Sequence, residues 1–568
     1  MVPGLVLLFG VLLSGQVAAA DNISLSAYPS LAQAVARNGG KTITLRIHAG
    51  EARVDQDLRV PPNIGLDFAP GAKLVIADKV SLALQGPLVA APGQQLFALQ
   101  GKDSRISEIN APTLYPQWWG ARGDGKSNDT TAFQQASAVI NAMGRGHLKI
   151  PKGIYIVGRQ QLKSEAQAAG PYYQYEEIIS IRKTAGPVLI EGEGSSATTL
   201  RAAAGLHFGS FDPHSGAAYS PPRLPFTDKN YAAATYFGMI SAVDNRQVEI
   251  PGLELDGNAA SLELGGQWGD HGRQLGGSGL YLMNNEKAEV EDQHTHHHAL
   301  DGIMIGYRQL TVASLIERPG KPADLKPHRL DRVVSEYNGR QGLSWIGGNS
   351  LRVTNSKFNH TGQGKEGLSS PPGAGLDIEA EESIAYNGYF ENCEFLDNNG
   401  VGVATDSGDS SHVRFKNVTV RGSKNWALWL RRPHMVFEDS RIIGRIAPSF
   451  TAVEGPLTES SFILPPPNPP LSIAPAEVLA RLNAKGWLAK RPGGYELTRE
   501  VNAALDAEGN NIHDALKELF PGPLNSRNKP SYGDYRRVLI VLQKHEKSSA
   551  PQFINTRFEK IPEGAPYY

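Results

Sequence analysis

A glycine followed by alternating apolar residues recurs through the middle of the sequence. Five segments have the pattern glycine-apolar-any-apolar-any, and a sixth has alanine in the place of the glycine. These segments begin at Gly279, Gly302, Gly342, Gly375, Gly402 and Ala427, with intervals of 23, 40, 33, 27 and 25 residues. Such intervals are typical of stacked supersecondary units, and alternation with period two predicts half-buried strands. The pattern therefore predicts a solenoid of short parallel strands, with loops in the longer intervals.

The same alternation occupies the segment 42–99, where turn residues separate three apolar sets. These sets are Ile43, Leu45 and Ile47; Ile64, Leu66 and Phe68; and Val80, Leu82 and Leu84. No strand-helix-strand pattern interrupts them. We therefore predict an all-β protein, a right-handed parallel β-helix with an N-terminal capping helix and a small helical insertion near the C-terminus. The capping helix begins at Asp129, which is a good N-cap residue before an apolar stripe.

The chain divides into four predicted segments. Residues 1–20 are a signal peptide, because a short apolar core precedes three alanines at 18–20. Residues 21–115 form N-terminal short-strand rungs, and residues 116–464 form the main β-helix. Residues 465–568 form a proline-rich linker, a helical insertion and a C-terminal cap. Within this last segment, 475–488 and 512–520 are predicted helices, and 538–542 and 553–558 are predicted strands.

Charge and cysteine content exclude several classes of function. The net charge of −1 creates no overall field that attracts nucleic acid or an anionic membrane. Cys393 is the only cysteine, so no intrachain disulfide can form, and its strand-like surroundings argue against a catalytic thiol. We expect a secreted or periplasmic protein that binds no nucleic acid and has no membrane segment once the signal is removed.

The run GARGDGKSNDTTAFQQA at 120–136, followed by the strand IPKGIYIV at 150–157, resembles the N-terminal entry of the pectate-lyase-like β-helix superfamily. That superfamily includes polygalacturonases, rhamnogalacturonase-like enzymes and phage tailspikes, and an epimerase-like branch. The resemblance implies that this run builds the start of the solenoid, with Asp124 and Asp129 as turn and cap residues. It also implies a polysaccharide ligand.

The outward positions of the six segments contain a group of acidic residues. If the second and fourth residues of each segment point inward, the third and fifth face solvent. Asp377, Glu379 and Asp406 then share one patch, with Arg431 one rung further, because neighbouring rungs lie about 4.8 Å apart. Close carboxylates repel unless a proton, a cation or a substrate relieves them. Glycoside hydrolysis needs such a pair, one carboxyl as acid and one as base or nucleophile. We predict these three carboxylates as the catalytic set.

The same residue types permit a second chemistry. Pectate lyases hold Ca²⁺ between acidic residues of neighbouring rungs and use a nearby Arg or Lys as base. Asp377, Glu379, Asp406 and Asp409, followed by Arg431, resemble that arrangement, and oxygen ligands suit Ca²⁺. The Asn-Thr-Asp, Asp-Asp, Gly-His-Gly and Arg-Ile-Lys signatures of polygalacturonases are absent from the sequence. A Ca²⁺-assisted lyase or an epimerase therefore stands as the alternative to a hydrolase.

Other residues are candidates for substrate binding or metal binding. Arg431, Trp429, Arg340, His298 and Asp301 are predicted to bind substrate, with Trp429 facing outward and Trp345 in the core. Alternation also places His294, His296 and His298 on one side of a strand, where a polar edge is the prediction preferred to a metal site. The run Asp256-Gly257-Asn258 is interpreted as a turn.

Together these features predict an exported enzyme that cleaves glycosidic bonds of an acidic polysaccharide, with paired carboxylates and no firmly required cofactor. Two alternatives stay open. One is a Ca²⁺-assisted lyase or epimerase, and the other is a non-catalytic polysaccharide-binding β-helix.

Overall fold

The computed structural model of the protein describes residues 21–167, 170–209, 211–212, 215–218, 238–265, 276–307, 328–405, 408–430, 432, 434–447, 455–463, 471–498, 501, 510–521, 534–545 and 551–561. The predicted signal at 1–20, Asp406 and Arg431 lie outside these residues. The chain divides into two compact units, Met1–Gly120 and Ala121–Tyr568.

The first unit is built from strands of two to five residues. It contains helix α1 (Leu31–Asn38) and strands β1 (Asp21–Ser24), β2 (Ile43–Ile47), β3 (Gly50–Val54), β4 (Leu58–Val60), β5 (Ile64–Phe68), β6 (Ala72–Ile76), β7 (Ser81–Leu84), β8 (Leu88–Val89), β9 (Phe97–Leu99) and β10 (Arg105–Ile109). These strands form three parallel sheets, in the orders β1-β2-β5-β8, β3-β6-β9 and β4-β7-β10. Each turn of the chain adds one strand to each sheet, which defines a parallel β-helix.

The second unit holds most of the strands and four helices of the described chain. Its strands are β11 (Asp124–Asn128), β12 (Gly146–Lys149), β13 (Gly153–Val157), β14 (Gln160–Gln167), β15 (Gly170–Tyr175), β16 (Ile179–Arg182), β17 (Pro187–Glu191), β18 (Thr198–Ala202), β19 (His207–Gly209), β20 (Gly238–Val243), β21 (Gln247–Asp256), β22 (Glu263–Gly265), β23 (Ser278–Met283), β24 (Lys287–His296), β25 (Asp301–Gly306), β26 (Arg329–Glu336), β27 (Gln341–Trp345), β28 (Gly348–Asn349), β29 (Arg352–Thr354), β30 (Lys357–Asn359), β31 (Ala374–Ile378), β32 (Ala380–Glu391), β33 (Glu394–Asn398), β34 (Val401–Thr405), β35 (Gly408–Lys416), β36 (Thr419–Leu430), β37 (Met435–Glu438), β38 (Arg441–Ala447), β39 (Leu488–Arg491), β40 (Gly494–Leu497), β41 (Gln552–Ile554) and β42 (Arg557–Glu559). Its helices are α2 (Thr130–Met143), α3 (Pro475–Ala484), α4 (Asn510–Leu519) and α5 (Asp534–His545).

One 26-strand sheet winds through this second unit, and its strands pair in parallel along three faces. Face A contains β12, β17, the starts of β21, β24 and β26, then β29, the ends of β32 and β35, β37 and β41. Face B contains β13, β18, the ends of β21, β24 and β26, then β30, β33, the start of β36, β38 and β42. Face C contains β16, β20, β23, β25, β27, β31, β34 and the end of β36. The unit is a parallel β-helix, as the sequence predicts.

The predicted inward phase of the repeat is confirmed on face C. Leu280, Ile303, Leu343, Leu376, Val403 and Leu428 stand opposite one another in consecutive strands. Each is 0% exposed. Burying such a ladder of aliphatic side chains is the dominant favourable term in folding, because it removes apolar surface from water. Trp345 is also fully buried, as predicted, and its indole N–H donates to the carbonyl of Gly347 over 3.0 Å.

Helix α2 begins where the sequence predicts, but the role of Asp129 differs from the expected cap. Its side chain makes no capping hydrogen bond to the helix. Instead, its carboxylate accepts the backbone N–H groups of Arg122 at 2.8 Å and Gly123 at 3.0 Å. Gly123 has a φ of +60° and a built Cβ would lie 2.7 Å from the Tyr155 ring, so a side chain there is excluded. Asp129 therefore closes the turn that precedes the helix, while Asp124 is the turn residue that was predicted.

The C-terminal segment contains the predicted helical insertion and then returns to the sheet. Buried apolar residues of α3, α4 and α5 form one cluster. The strand predicted at 538–542 is wrong, since these residues belong to α5, where Tyr535, Val538, Leu539 and Leu542 are buried at helical spacing. β41 and β42 pair with β37 and β38, and the ring of Phe553 stacks on Phe437.

Two further observations concern membrane-spanning helices and the single cysteine. No helix among the described residues is long and apolar enough to cross a membrane. Cys393 is buried, and burial raises the pKa of its thiol to about 12. A thiol with that pKa is not a nucleophile at neutral pH, which agrees with the structural role predicted for it.

A buried histidine makes stability depend on pH. The Nδ1 atom of His328 accepts the backbone N–H of Ala288 over 3.0 Å, and burial lowers the pKa of His328 from 6.5 to about 4. Between pH 6.5 and about pH 4, His328 is protonated in the unfolded chain but stays neutral in the folded chain. The free energy of unfolding therefore falls as the pH drops. By pH 4 this histidine alone lowers the free energy of unfolding by about 3 kcal/mol.

We expect His328→Asn, whose amide oxygen can accept the same N–H, to show a free energy of unfolding that depends less steeply on pH, as measured by urea titrations. If the free energy of unfolding of the variant changed with pH as steeply as that of the natural protein, His328 would not be neutral in the folded protein.

Candidate active site

Ionisable side chains occupy the same position on consecutive strands of face B. Arg201 of β18 stands opposite Asp256 of β21, which stands opposite His296 of β24 and then Glu336 of β26. Asn359 of β30 continues the column. The alternating burial along β21 and β24 directs these side chains away from the core. A column of cation, carboxylate, imidazole and carboxylate therefore runs along the outside of the solenoid.

A second column lies two residues earlier on the same strands. It contains Thr199 of β18, Glu254 of β21 and His294 of β24, again in register. Between the two columns, Leu255 and Thr295 are fully buried. We call the two columns together the face B cluster, which comprises Thr199, Arg201, Glu254, Asp256, His294, His296 and Glu336.

Short contacts join the cluster into one network. Arg201 Nε donates to Asp256 Oδ2 over 2.7 Å. His296 Nε2 lies 3.1 Å from Glu254 Oε1, and His294 Nε2 lies 3.1 Å from Glu336 Oε1. Both imidazoles therefore touch a carboxylate of a neighbouring rung. The hydroxyl of Thr199 donates to the other oxygen of Glu254.

The turn after β24 adds a third imidazole. His297 Nδ1 lies 2.7 Å from His296 Nδ1, so a proton on one of these nitrogens joins the two rings. The ring of His297 stacks on Tyr337, which stacks on His360, with centroids 5.2 Å and 4.9 Å apart. The three stacked rings hold His297 beside the face B cluster.

Burial and neighbouring groups shift the pKa values of three members of the cluster. Burial lowers the pKa of His296, although Asp256 opposes this effect. Burial alone would raise the pKa of Asp256, but His296, the N–H of Asn258 and Arg201 outweigh it and hold that pKa below its usual range. With its lowered pKa, His296 is neutral at pH 7. Arg201 is therefore the cation that stabilises the Asp256 carboxylate at that pH. The hydrogen bond from His294 likewise lowers the pKa of Glu336.

The face B cluster is accessible to a ligand. The side chains of His294, Glu336 and Glu254 are 31%, 27% and 23% exposed, and those of His296 and Asp256 are 12% and 11% exposed. Two sets of three groups have ligand atoms within 4.8 Å of one another, namely Glu254, His294 and His296, and Asp256, His296 and His297. The arrangement can therefore transfer protons or hold a cation.

Part of the acidic patch predicted from the repeat lies within the described residues. Asp377 stands where the register places it, opposite Ser344 and Ala404. Its predicted exposure is wrong, since it is 3% exposed and accepts a hydrogen bond from Gln341. Ser344 and Ala404 are buried as well, so this outward column of face C is covered.

The other members of that patch have mixed outcomes. Glu379 is half-buried beyond β31. Asp406, Arg431 and the side chain of Asp409 lie outside the described residues, so the proposed Ca²⁺ ligand set stays a prediction. Trp429 lies in the same outward column opposite Ala404, as predicted. It is half-buried there, and its ring packs against Trp426 with centroids 5.7 Å apart.

Arg340 and Asp301, predicted to bind substrate, form a buried ion pair instead. Arg340 donates from Nε to Asp301 Oδ1 over 2.8 Å and from Nη2 to Asp301 Oδ2 over 2.6 Å. The side chains are 6% and 0% exposed. Such a bidentate pair satisfies both charges within the protein, so neither group is presented to a ligand at the surface.

His298, also predicted to bind substrate, points into the protein. The histidines predicted on one side of a strand are separated by the end of β24, so only His294 and His296 share the outer face. The Nε2–H of His298 donates to the carbonyl of Leu255 over 3.1 Å, and burial lowers its pKa to about 3. It is a neutral structural histidine.

The sequence contains a signal for the pairing of His294 and His296 with carboxylates of β21, which is not among the predictions above. Glu254-Leu255-Asp256 and His294-Thr295-His296 are two polar-apolar-polar triplets on the strands β21 and β24, which pair in register. Asp256 was interpreted as a turn residue, although it is the last residue of β21. Aligning these two strands as one rung pair would have joined the histidines to their carboxylates.

Comparisons with known proteins return matches of architecture only. No protein-family model matches the chain, and no curated protein matches it. Among solved structures, the chain is similar to the A-module of a mannuronan C-5 epimerase of Azotobacter vinelandii, with 16% identity over 60% of this chain and 79% of that one, and a TM-score of 0.35. It is similar to an exopolygalacturonase of Thermotoga maritima, with 15% identity over 59% and 88% and a TM-score of 0.26. It is also similar to a capsular polysaccharide depolymerase tailspike of Acinetobacter baumannii bacteriophage Fri1, with 13% identity over 59% and 55% and a TM-score of 0.31.

The parallel β-helix that the strand pairing shows is the fold that the resemblance of the segment 120–136 implies, and similarities at these identities and TM-scores add nothing to it. At such identities and TM-scores they say nothing about the reaction. Any argument about activity must come from the residues of the chain itself.

The Asp301–Arg340 pair gives a test of its structural role. Arg340→Leu removes the cation and leaves a buried carboxylate without its partner, which costs about 3–5 kcal/mol of the free energy of unfolding. The double variant Asp301→Asn/Arg340→Leu removes both charges and should recover part of that loss. Chemical denaturation measures both. A stable single variant with impaired substrate binding would instead support the ligand-binding role predicted from the sequence.

Proposed function

We propose that the protein is an exported enzyme that processes an acidic polysaccharide by proton transfer at the face B cluster. The observation that carries this proposal is the column Arg201, Asp256, His296 and Glu336, which places cation, base and imidazole side by side on an accessible face. The substrate class follows from the superfamily resemblance. A polymer lying along a solenoid meets successive rungs about 4.8 Å apart.

The hydrogen bonds of the carboxylates favour proton abstraction over hydrolysis. A glycosidase needs one carboxyl that stays protonated so that it can act as general acid. Asp256 accepts hydrogen bonds from Arg201 and from the backbone N–H of Asn258, while Glu336 accepts one from His294. Such donors favour the ionised form of a carboxylate. A carboxylate held in this form can accept a proton but cannot donate one as a general acid, and accepting a proton is the step shared by β-elimination and epimerisation of a uronate sugar.

Within this proposal, Asp256 and the neutral imidazole of His296 are the candidate bases. Arg201 adds a positive charge beside Asp256, where a sugar carboxylate would be attracted. Glu336 orients His294 through the contact between its Oε1 atom and the imidazole Nε2. The lyase or epimerase alternative from the sequence is thus preferred, with a different set of residues.

A second candidate is the hydrolase with Asp377, Glu379 and Asp406 as its catalytic set and Arg431 as a substrate contact. Its support is the register that places Asp377 on an outward position of face C. The burial of Asp377 and its bond to Gln341 make it the weaker candidate. A non-catalytic polysaccharide-binding β-helix is the third, and measured turnover separates it from both enzymes.

The reaction can be identified by its products on a panel of uronic and neutral polysaccharides. Elimination produces unsaturated sugars that absorb in the ultraviolet, hydrolysis produces reducing ends without that absorbance, and epimerisation in D₂O introduces deuterium at the reacting carbon. We expect Asp256→Asn and His296→Gln each to lower kcat by at least about 100-fold, because each removes a proton acceptor from the site. Circular dichroism checks that the fold is kept.

His147→Gln is the matched control, because His147 pairs with Glu191 over 2.7 Å on β12 and β17, which belong to face A and not to face B. It should leave kcat unchanged. If Asp377→Asn abolishes turnover while Asp256→Asn and His296→Gln do not, the hydrolase candidate replaces the present one. If no polysaccharide is altered but one is bound, the protein is a binding module.

A further inference from the structure

Three side chains of the face B cluster converge on one point in space. Glu254 Oε1 lies 3.1 Å from His296 Nε2 and 3.7 Å from His294 Nδ1. All three ligand atoms lie within 4.8 Å of one another. An ion bound tetrahedrally at about 2.0–2.1 Å requires its ligand atoms to be about 3.4 Å apart. The two distances from Glu254 lie on either side of that value.

From this convergence we propose that Glu254, His294 and His296 bind one divalent transition-metal ion of the Zn²⁺ class. The inference rests on the site of the proposed function and adds a cofactor to it. Two imidazole nitrogens with one carboxylate oxygen suit Zn²⁺, Co²⁺ or Ni²⁺, whereas Ca²⁺ takes oxygen ligands only. The site therefore differs in chemistry and in place from the Ca²⁺ site predicted around Asp377.

Each proposed ligand is oriented by a partner on its far side. His294 uses Nε2 to donate to Glu336 Oε1 over 3.1 Å, which leaves the lone pair of Nδ1 directed toward Glu254. Carboxylate partners of this kind fix the tautomer and the ring orientation of metal-bound histidines. An ion pair between His294 and Glu254 alone would not require the contact between His294 and Glu336.

The other two ligands are held in the same way. Glu254 receives the hydroxyl of Thr199 on Oε2, so Oε1 is left for the ion. His296 has Nδ1 beside Nδ1 of His297 at 2.7 Å and Asp256 Oδ1 at 3.7 Å, so its Nε2 can bind the ion. Three ligands, each with at least one orienting partner, form a prepared site rather than a chance meeting of polar side chains.

The partial exposure of the ligands indicates an open coordination position. His294 and Glu254 are 31% and 23% exposed, whereas structural zinc sites are closed by four protein ligands. Three protein ligands leave room for a water molecule or a substrate oxygen. With the ion bound, His296 is a ligand, and Asp256 is the remaining base of the proposed reaction.

Metal binding can be measured without any substrate. The full-length protein is stripped with a chelator, dialysed, and titrated with Zn²⁺ by calorimetry and with Co²⁺ by visible absorption. We expect one ion per chain and a Co²⁺ spectrum with the strong bands of a four-coordinate site. Glu254→Gln, His294→Gln and His296→Gln should each weaken Zn²⁺ binding by at least about 100-fold, and Glu336→Gln by about 10-fold, the effect usual for an orienting partner.

His147→Gln is again the matched control, since His147 and Glu191 form a pair of the same chemistry to which the described residues add no third metal-binding group. It should bind Zn²⁺ as tightly as the natural protein.

The inference is overturned if the natural protein shows no saturable Zn²⁺ binding, or if Zn²⁺ binding survives in all three ligand variants. Loss of metal binding in those variants with turnover retained would overturn the proposed catalytic site and leave the metal site standing. If the protein binds no metal but loses turnover in Asp256→Asn, the metal site is overturned and the proposed catalytic site stands.

Discussion

The parallel backbone register between successive rungs is the constraint on which the rest of this structure depends. Once Leu343 pairs with Leu376 and Leu376 with Val403, every side chain on these strands has its place, in the core or on the outer face. Hydrogen bonds between backbones set a spacing of about 4.8 Å, which no side chain can alter. The solenoid thus converts positions far apart in the sequence into neighbours at a fixed distance.

This spacing makes like charges costly and opposite charges favourable along each column, whereas apolar side chains gain by stacking on one another. Apolar columns gain by burial, as in the aliphatic ladder of face C, and the rings of Phe390, Phe415 and Phe437 stack for the same reason. On the outer side of face B the column alternates cation, carboxylate, imidazole and carboxylate. Arg201 meets Asp256 within this column, and Glu336 meets His294 of the second column on the neighbouring rung. A polar column can therefore be held together by its own contacts and still face solvent.

The sequence predicts the core of this fold better than its surface. Alternation identifies which residues point inward, because one apolar phase repeats at Leu280, Ile303 and Leu343. It carries no information on what covers the outward side, so the burial of Asp377 could not be predicted. His298 was placed wrongly for a related reason, since β24 ends at His296 and the alternation ends with it. The Asp129 carboxylate and helix α5 likewise depend on contacts that a local pattern does not contain.

The positions of the two triplets Glu254-Leu255-Asp256 and His294-Thr295-His296 have a consequence for how such a protein can change. Between the triplets the chain contributes β23 to face C and then enters β24, and the lengths of the connections before and after β23 do not enter the pairing of β21 with β24. Insertions there can reshape the surroundings of the site while its chemical groups keep their spacing. Deleting one residue inside β24 has the opposite effect, because it turns both histidines toward the core and brings Thr295 outward. Natural variation should therefore collect in the connections and spare the strands, and new specificities can arise without rebuilding the site.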